Sequence, residues 1–201
     1  MQNLKSEIKI QPIFFNFLVE ENFVLENSKE LIDYSYKKVK IDKEYIEKDN
    51  VSQTLILDTK LEILQPLIEK MSFLFNELHD KLGFKKNMFQ KITETWVNIN
   101  NNKNIDPPHN HPGSFFSGVY YLQADEGSSD IRFMTPNQSH SQVISPHYVD
   151  EYNGFNSSEW YITPKTGSAV LFPSWMYHYV RPHTGKYDRI SIAFNTKIYD
   201  K

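Results

Sequence analysis

Residues 109–122 read HNHPGSFFSGVYYL, which places two histidines directly before a strand-forming run. His109 and His111 are two positions apart, and such residues project to the same side of an extended chain. Both imidazoles can therefore face one point. A His-x-His pair alone is a weak indication of a metal site, so the rest of the chain has to supply further ligands.

Short strands are predicted on both sides of this stretch. From Phe89 onward, alternating segments are separated by clusters of Pro, Gly, Asn and Asp. The segments are KITETWVNIN (91–100), SFFSGVYYL (114–122), SDIRFM (129–134), GSAVLF (167–172) and DRISIAFN (188–195). Several short strands at such intervals are typical of an antiparallel sandwich or jelly roll. Because the strands are apolar or aromatic on both faces, we expect a core on one side of the sheet and helices on the other.

The first 88 residues are predicted to be mainly helical. Apolar residues recur every three or four positions between residues 61 and 80, which predicts an amphipathic helix. A leading strand is expected at residues 7–15, and a capping-box pattern at Asn27 and Glu30 predicts a helix to about Lys38. We therefore expect one α+β domain, mainly β, over residues 1–201. In it, residues 1–88 form a helical support layer and residues 89–201 form the jelly-roll core that carries the site.

Composition excludes several classes of function. The 201 residues include no cysteine, which rules out disulfides, zinc ribbons, iron–sulfur clusters and thiol nucleophiles. The net charge is −3 and no stretch concentrates basic residues, so we expect no nucleic-acid partner. No apolar run approaches the roughly 18 residues of a membrane span, and the opening MQNLKSEIKIQ lacks the apolar core of a signal peptide. We expect a soluble, cytoplasmic protein without a membrane partner.

A third histidine follows a later predicted strand. In GSAVLFPSWMYH, residues 167–178, the strand period places His178 on one face with Met176 and Val180. Strands that are distant in sequence converge at one open end of a jelly roll, so His178 can join His109 and His111 in a set of ligands. Histidine with oxygen donors and open coordination positions suits non-haem Fe(II).

An arginine and a serine on the last predicted strand indicate an anion site. In DRISIAFN, Arg189 and Ser191 face one way, whereas Ile190 and Ile192 face the other. A guanidinium can bind a carboxylate through two parallel hydrogen bonds, and the serine hydroxyl adds a donor. Because the flanking residues are apolar, we expect a buried carboxylate site rather than a solvated arginine on an edge strand.

These motifs, in this order, resemble those of the Fe(II)/2-oxoglutarate-dependent oxygenase superfamily. HNHPGSFFSGVYYL…GSAVLFPSWMYH…RISIAFN is most similar to its short branch of prolyl-hydroxylase-like 2OG-Fe(II) oxygenases, over nearly the whole chain. The resemblance implies a double-stranded β-helix that uses Fe(II), 2-oxoglutarate and dioxygen to hydroxylate an unidentified small-molecule or peptide substrate. It also implies that His109 and His178 are metal ligands, and that Arg189 and Ser191 anchor the 2-oxoglutarate carboxylate.

The sequence departs from the family pattern at one position. Family members have Asp or Glu two residues after the first histidine, whereas this chain has His111. Three arrangements are open. All three histidines can form the site, His111 can be the first ligand while Gly113 leaves the carboxylate position vacant, or a carboxylate such as Asp106 or Asp130 can enter from elsewhere. We favour the arrangements that contain His111.

Further residues are candidates for contact with the cosubstrate. Asn98 lies on the strand before the histidines, and Tyr120 and Tyr121 lie on the strand after them. Asn98 and one of the two tyrosines can donate hydrogen bonds to 2-oxoglutarate, and ordinary sheet packing is the alternative for each. Two other functions are consistent with the chain. One is a cupin-like three-histidine metalloenzyme that uses no 2-oxoglutarate, and the other is a metal-free jelly-roll binding or structural module.

Overall fold

The computed structural model describes residues 16–41, 53–101, 104–137, 139 and 144–201. The leading strand predicted at residues 7–15 lies outside these residues. In chain order the elements are β1 (Val19–Asn22), α1 (Ser28–Ile41), β2 (Gln53–Leu57), α2 (Gln65–Lys81), β3 (Met88–Asn100), β4 (Asp106–His109), β5 (Phe116–Gln123), β6 (Ile131–Met134), β7 (Glu159–Ile162), β8 (Ser168–Pro173), β9 (His178–Val180) and β10 (Arg189–Asp200). Among the described residues, no helix is long and apolar enough to cross a membrane.

The strands form two antiparallel sheets. The larger sheet has the order β1-β8-β5-β10-β3-β2, and the smaller sheet has the order β4-β9-β6-β7. This architecture is a double-stranded β-helix, the form of jelly roll that the family resemblance implied. Residues 1–88 supply more than the helical layer expected of them, because β1 and β2 are the two edge strands of the larger sheet.

Helix α2 covers the outer face of the larger sheet. Met71 and Phe75 of α2 are fully buried, and they share one core with Ile190, Ile192 and Phe194 of β10. The helix predicted between residues 61 and 80 is therefore confirmed as the layer over the sheet. Burial of such large apolar side chains stabilises the fold by roughly 1.5–3 kcal/mol each.

Helix α1 begins near the predicted position, but the predicted capping box does not form. The Asn27 side-chain nitrogen donates instead to the carbonyl oxygen of Ile63, at 2.8 Å. The Asn27 side-chain oxygen is buried without a hydrogen-bond partner, so it does not cap the first turn of α1. Asn27 therefore ties α1 to the turn before α2 rather than closing the helix end.

A second apolar core joins the inner faces of the two sheets. Its members are Val119, Tyr121, Val170 and Phe172 of the larger sheet, Ile131, Phe133, Ile162 and Val180 of the smaller sheet, and Met176 between β8 and β9. Beside this core the sheets enclose a cavity of about 780 Å³, which the inner face of β10 lines with polar side chains. The alternation of β10 thus separates a helix-covered apolar face from a polar face that is turned to the cavity.

Gly118 of β5 allows α2 to approach the larger sheet closely. A Cβ atom at Gly118 would lie 2.9 Å from Cζ of Phe75 and 3.1 Å from Cε of Met71. It would also lie 3.3 Å from the carbonyl oxygen of Val170. Since neither the buried ring nor the backbone can move freely, we expect Gly118→Ala to lower the free energy of unfolding by about 1–3 kcal/mol, measured by urea denaturation. The matched control is Gly154→Ala, where a Cβ atom meets nothing within 4 Å, and equal stability of the two variants would contradict this account.

Candidate functional site

Three histidines meet in the cavity. His109 at the end of β4 pairs directly with His178 at the start of β9. His111 lies in the turn after β4, where its backbone N–H donates to the carbonyl oxygen of Ser174 at 3.0 Å. One ring nitrogen from each histidine lies within 4.8 Å of the other two. The predicted convergence is therefore present, and within the described part of the chain no Asp or Glu joins this cluster.

Hydrogen bonds engage the same ring nitrogen of His109 and His178. Nδ1 of His109 lies 2.8 Å from the carbonyl oxygen of Pro107, and Nδ1 of His178 lies 2.9 Å from that of Met176. Because a carbonyl oxygen can only accept, each Nδ1 carries a proton, and in the neutral imidazole Nε2 then keeps its lone pair. Metal-binding histidines have this arrangement, in which the outer hydrogen bond fixes the orientation of the ring.

Asn195 and Glu94 hold His111 in the same tautomer. Nδ1 of His111 lies 2.7 Å from the side-chain oxygen of Asn195 and 2.8 Å from the hydroxyl of Ser117. The amide nitrogen of Asn195 donates to the carboxylate of Glu94 at 2.8 Å, so Asn195 presents its oxygen to His111. His111 therefore donates from Nδ1, and its Nε2 keeps the lone pair. The sequence does not predict this role, because it depends on the register that pairs Asn195 with Glu94 across β10 and β3.

Burial favours the neutral form of His111 and His178. Burial, aided by the nearby His109, lowers the pKa of His178 to about 3. The same two causes lower the pKa of His111, whereas its hydrogen bond to Asn195 acts in the opposite direction. His111 and His178 are therefore uncharged at neutral pH, which is the form in which histidine binds a metal.

The other ligands left open by the sequence lie outside the cluster. Asp130 pairs with Nε of Arg132 at 3.1 Å. Asp106 lines the cavity, but it accepts a hydrogen bond from the amide of Asn100 at 3.4 Å and is not part of the group. Gly113 is exposed and has a φ of +84°, a conformation that favours glycine. Of the three arrangements, the structure brings together the one with three histidines.

Arg189 lines another part of the same cavity and is only 2% exposed. It donates to the side-chain oxygen of Asn100 at 2.9 Å, and its guanidinium carbon lies 4.9 Å from the centre of the Tyr121 ring. Nε of Arg189 and the hydroxyl of Ser191 are both buried without a partner. The ion pairs found among the described residues involve Arg132 and not Arg189. Because burial of a guanidinium whose Nε has no partner is costly, these atoms fit a carboxylate ligand.

Of the other residues predicted to contact the cosubstrate, Asn98 and Tyr121 face the cavity side of the sheet and Tyr120 does not. Asn98 lines the cavity and lies opposite Ser191 in the pairing of β3 with β10. Tyr121 faces the same side, with its hydroxyl 3.5 Å from Nη2 of Arg189. Tyr120 lies outside the cavity, because consecutive strand residues face opposite sides of a sheet. Its hydroxyl donates to the carbonyl oxygen of Phe23 at 3.1 Å, and its ring stacks on that of Phe23 under the helical layer.

Comparisons with known proteins agree with this fold. Residues 94–195 match the family described as "Putative 2OG-Fe(II) oxygenase", whereas no curated protein sequence matches the chain. The structure is similar to that of a Pseudomonas putida prolyl-4-hydroxylase, with a TM-score of 0.60 and 15% identity over 90% of this chain and 91% of that chain. It is also similar to a viral collagen prolyl hydroxylase of Paramecium bursaria Chlorella virus-1, solved as a 2OG complex, with a TM-score of 0.57 and 12% identity over 89% and 94% of the two chains. An epimerase from nogalamycin biosynthesis, solved with Fe³⁺ and α-ketoglutarate, gives a TM-score of 0.59 and 12% identity over 92% and 82%.

Loss of the Asn195 side chain should weaken metal binding. Asn195→Leu removes the oxygen that fixes the His111 ring, and loss of such an outer partner typically costs about 10–100-fold in metal affinity. Isothermal titration calorimetry with Zn(II) measures the change, and circular dichroism checks the fold. Asn87→Leu is the control, because Asn87 is exposed in the turn before β3. Unchanged affinity in Asn195→Leu would show that the ring does not depend on this hydrogen bond.

Proposed function

The chain belongs to the 2OG-Fe(II) oxygenase family, and from this premise we propose that it is a 2-oxoglutarate-dependent oxygenase that hydroxylates a small-molecule or peptide substrate. His109, His111 and His178 are the proposed metal ligands, and Arg189 and Ser191 are the proposed anchor for the 2-oxoglutarate carboxylate. The observation that carries the proposal is one cavity lined both by three converging imidazoles and by a buried guanidinium with an unpartnered Nε.

The protein's own contribution is to position ligands and to exclude water. The chemistry that Fe(II) and 2-oxoglutarate supply, when bound, is oxidation of an unactivated C–H bond by dioxygen, with succinate and CO2 as further products. Three protein ligands leave other coordination positions open for small molecules. The rings of Phe172 and Phe133 lie 4.8 and 5.9 Å from that of His178, so this side of the site is dry. A dry wall strengthens the electrostatic interactions inside the site.

The buried end of the cavity provides donors for a carboxylate. With one guanidinium nitrogen of Arg189 held by Asn100, Nε remains free to donate. Ser191 lies two residues further along the same face of β10 and offers its hydroxyl. Asn98 lines the cavity opposite Ser191. Its side-chain oxygen accepts a hydrogen bond from the Thr54 hydroxyl at 2.8 Å, and its side-chain nitrogen is a further donor. Charge-assisted hydrogen bonds of this kind are the stronger ones in proteins.

One observation favours a second candidate function. The replacement of the family's carboxylate by His111 is also compatible with a cupin-like three-histidine metalloenzyme that uses no 2-oxoglutarate. The unpartnered atoms of Arg189 and Ser191 count against that alternative. Titration with Zn(II), with and without 2-oxoglutarate, separates the functions. Binding of both ligands supports the oxygenase, binding of the metal alone supports the cupin-like enzyme, and binding of neither supports a metal-free module.

Substitutions at His111 test whether this side chain is a metal ligand. We expect Zn(II) affinity to decrease in the order parent, His111→Asp, His111→Ala. His111→Asp restores the carboxylate of the family pattern, so it should bind better than His111→Ala. It should bind less well than the parent, because the side-chain oxygen of Asn195 points at residue 111 and would repel a carboxylate there. Calorimetry with Zn(II) provides the affinities. His147→Ala is the control, since His147 is exposed and lies outside the cluster. Parent-like affinity in His111→Ala would remove His111 from the ligand set.

Substitutions at the anion site should affect 2-oxoglutarate and not the metal. Removing one partner of a buried charge pair costs on the order of 2–5 kcal/mol, so Arg189→Leu should weaken 2-oxoglutarate binding by more than about tenfold. Arg189→Lys should recover part of the loss, since ammonium supplies charge without the planar fork. Ser191→Ala should cost least, about 1 kcal/mol. Calorimetry on the Zn(II)-loaded protein measures the series.

The control for this series is Arg181→Leu, because Arg181 is exposed outside the cavity. It should bind 2-oxoglutarate as the parent does. Should Arg189→Leu and Ser191→Ala also bind it like the parent, with their folds intact by circular dichroism, the assignment of the cosubstrate site fails.

A further inference from the structure

The β2 edge of the larger sheet is open on its inner face. Glu94, Trp96 and Asn98 are alternate residues of β3 that line the cavity from this face, and Thr54 and Ile56 of β2 continue the same surface. Ile56 lies opposite Trp96 in the strand pairing and is 83% exposed, although it is apolar. We call these five residues the β2–β3 platform.

The platform adjoins the three-histidine cluster. The ring of Trp96 lies edge-on to that of His111, with the ring centres 5.3 Å apart. A molecule on the platform would therefore lie beside the proposed metal position. In the proposed function, on which this inference rests, 2-oxoglutarate occupies the Arg189 part of the cavity. Asn98 borders that part of the cavity, and the rest of the platform is left as a surface for the primary substrate.

The charge next to the platform is negative. Asp58, directly after β2, also lines the cavity, and continuing the pairing of Leu57 with Thr95 by one residue brings Asp58 opposite Glu94. Like charges opposite each other on neighbouring strands are destabilising. Neither carboxylate forms an ion pair within the described part of the chain. A cationic ligand at this point would relieve the repulsion.

The cavity provides no cation of its own near these carboxylates. Among the described residues that line it, none is a lysine and the sole arginine is Arg189. Glu94 pairs with Asn195, and Arg189 is six residues before Asn195 on β10. At about 3.3 Å per residue, roughly 20 Å of strand separates the backbone of Arg189 from that of Asn195, which lies opposite Glu94. The cavity therefore has Arg189 and Asp106 at one end, joined through Asn100, and Glu94 with Asp58, but no lysine or arginine, at the other.

We propose that the β2–β3 platform binds the primary substrate through a nitrogen cation, an alkylammonium or a guanidinium, that is carried on an apolar chain. Trp96 and Ile56 contact the apolar chain, and the indole face also attracts a cation. Glu94 receives the cation on the carboxylate oxygen that is not bonded to Asn195, and Asp58 adds a second negative charge. A free cationic amino acid and a cationic side chain of a peptide present the same chemistry.

The test compares probes of similar shape and different charge. The pairs are arginine with citrulline and lysine with norleucine, each as the free amino acid and in an acetyl-Gly-X-Gly-amide peptide. Isothermal titration calorimetry on the full chain, with and without Zn(II) and 2-oxoglutarate, gives the dissociation constants. We expect the cationic member of at least one pair to bind at least about tenfold tighter than its neutral partner. Comparison of the free and peptide series identifies the source of the cation.

Variants connect this preference to the two carboxylates. Glu94→Gln removes the charge but keeps an oxygen that can accept the hydrogen bond from Asn195. We expect the preference for the cation to fall several-fold in Glu94→Gln and to disappear when Asp58→Asn is added. Glu69→Gln is the matched control, because Glu69 is exposed on α2 outside the cavity, and it should retain the parent preference.

Three outcomes would overturn the proposal: equal affinities within both pairs, no binding by any probe, or a preference that survives the double substitution. The arms without Zn(II) and 2-oxoglutarate separate this proposal from the proposed function. A cation preference in a protein that binds no 2-oxoglutarate would retain the platform and reject the oxygenase. Tight 2-oxoglutarate binding without a cation preference would reject the platform alone.

Discussion

Strand β10 lies between β3 and β5, and its two faces perform different tasks. Ile190 and Ile192 are buried against the helical layer, whereas Arg189, Ser191 and Asn195 face the cavity. Because the side-chain period of a strand is two, a slip of one residue in the pairing would exchange the two sets. Because Ile190 and Ile192 have to stay buried under the helices, the register of β10 is fixed. That register places Arg189, Ser191 and Asn195 on the face that lines the cavity.

The proposed three-histidine ligand set differs from the family pattern in its charge. Three neutral imidazoles bring no charge to a metal, whereas the carboxylate of the family pattern brings one negative charge. Here a carboxylate, Glu94, lies further out and reaches His111 through the amide of Asn195. A divalent metal in this set would keep more of its positive charge for anionic ligands, which agrees with a cosubstrate that carries two carboxylates.

The sequence predicts those features that depend on neighbours along the chain. Alternation predicted the faces of β10, and the spacing of His109 and His111 predicted that both imidazoles face one point. The sequence could not show which of Tyr120 and Tyr121 faces the cavity. Both are aromatic strand residues, and the answer depends on which face of the strand meets the helices. The role of Asn195 depends on a partner about a hundred residues away in sequence, and on the β-bulge between Asn195 and Thr196. Such a contact leaves no local pattern to read.

We propose that the Nε2 atoms of His109, His111 and His178 bind one metal ion. Anomalous diffraction at the zinc edge, from crystals grown with Zn(II) and 2-oxoglutarate, tests it most directly. We expect one peak at about 2.0–2.1 Å from all three nitrogens, with a 2-oxoglutarate carboxylate on Arg189. A peak bound by Asp106 in place of His111, or no peak among the histidines, would contradict it.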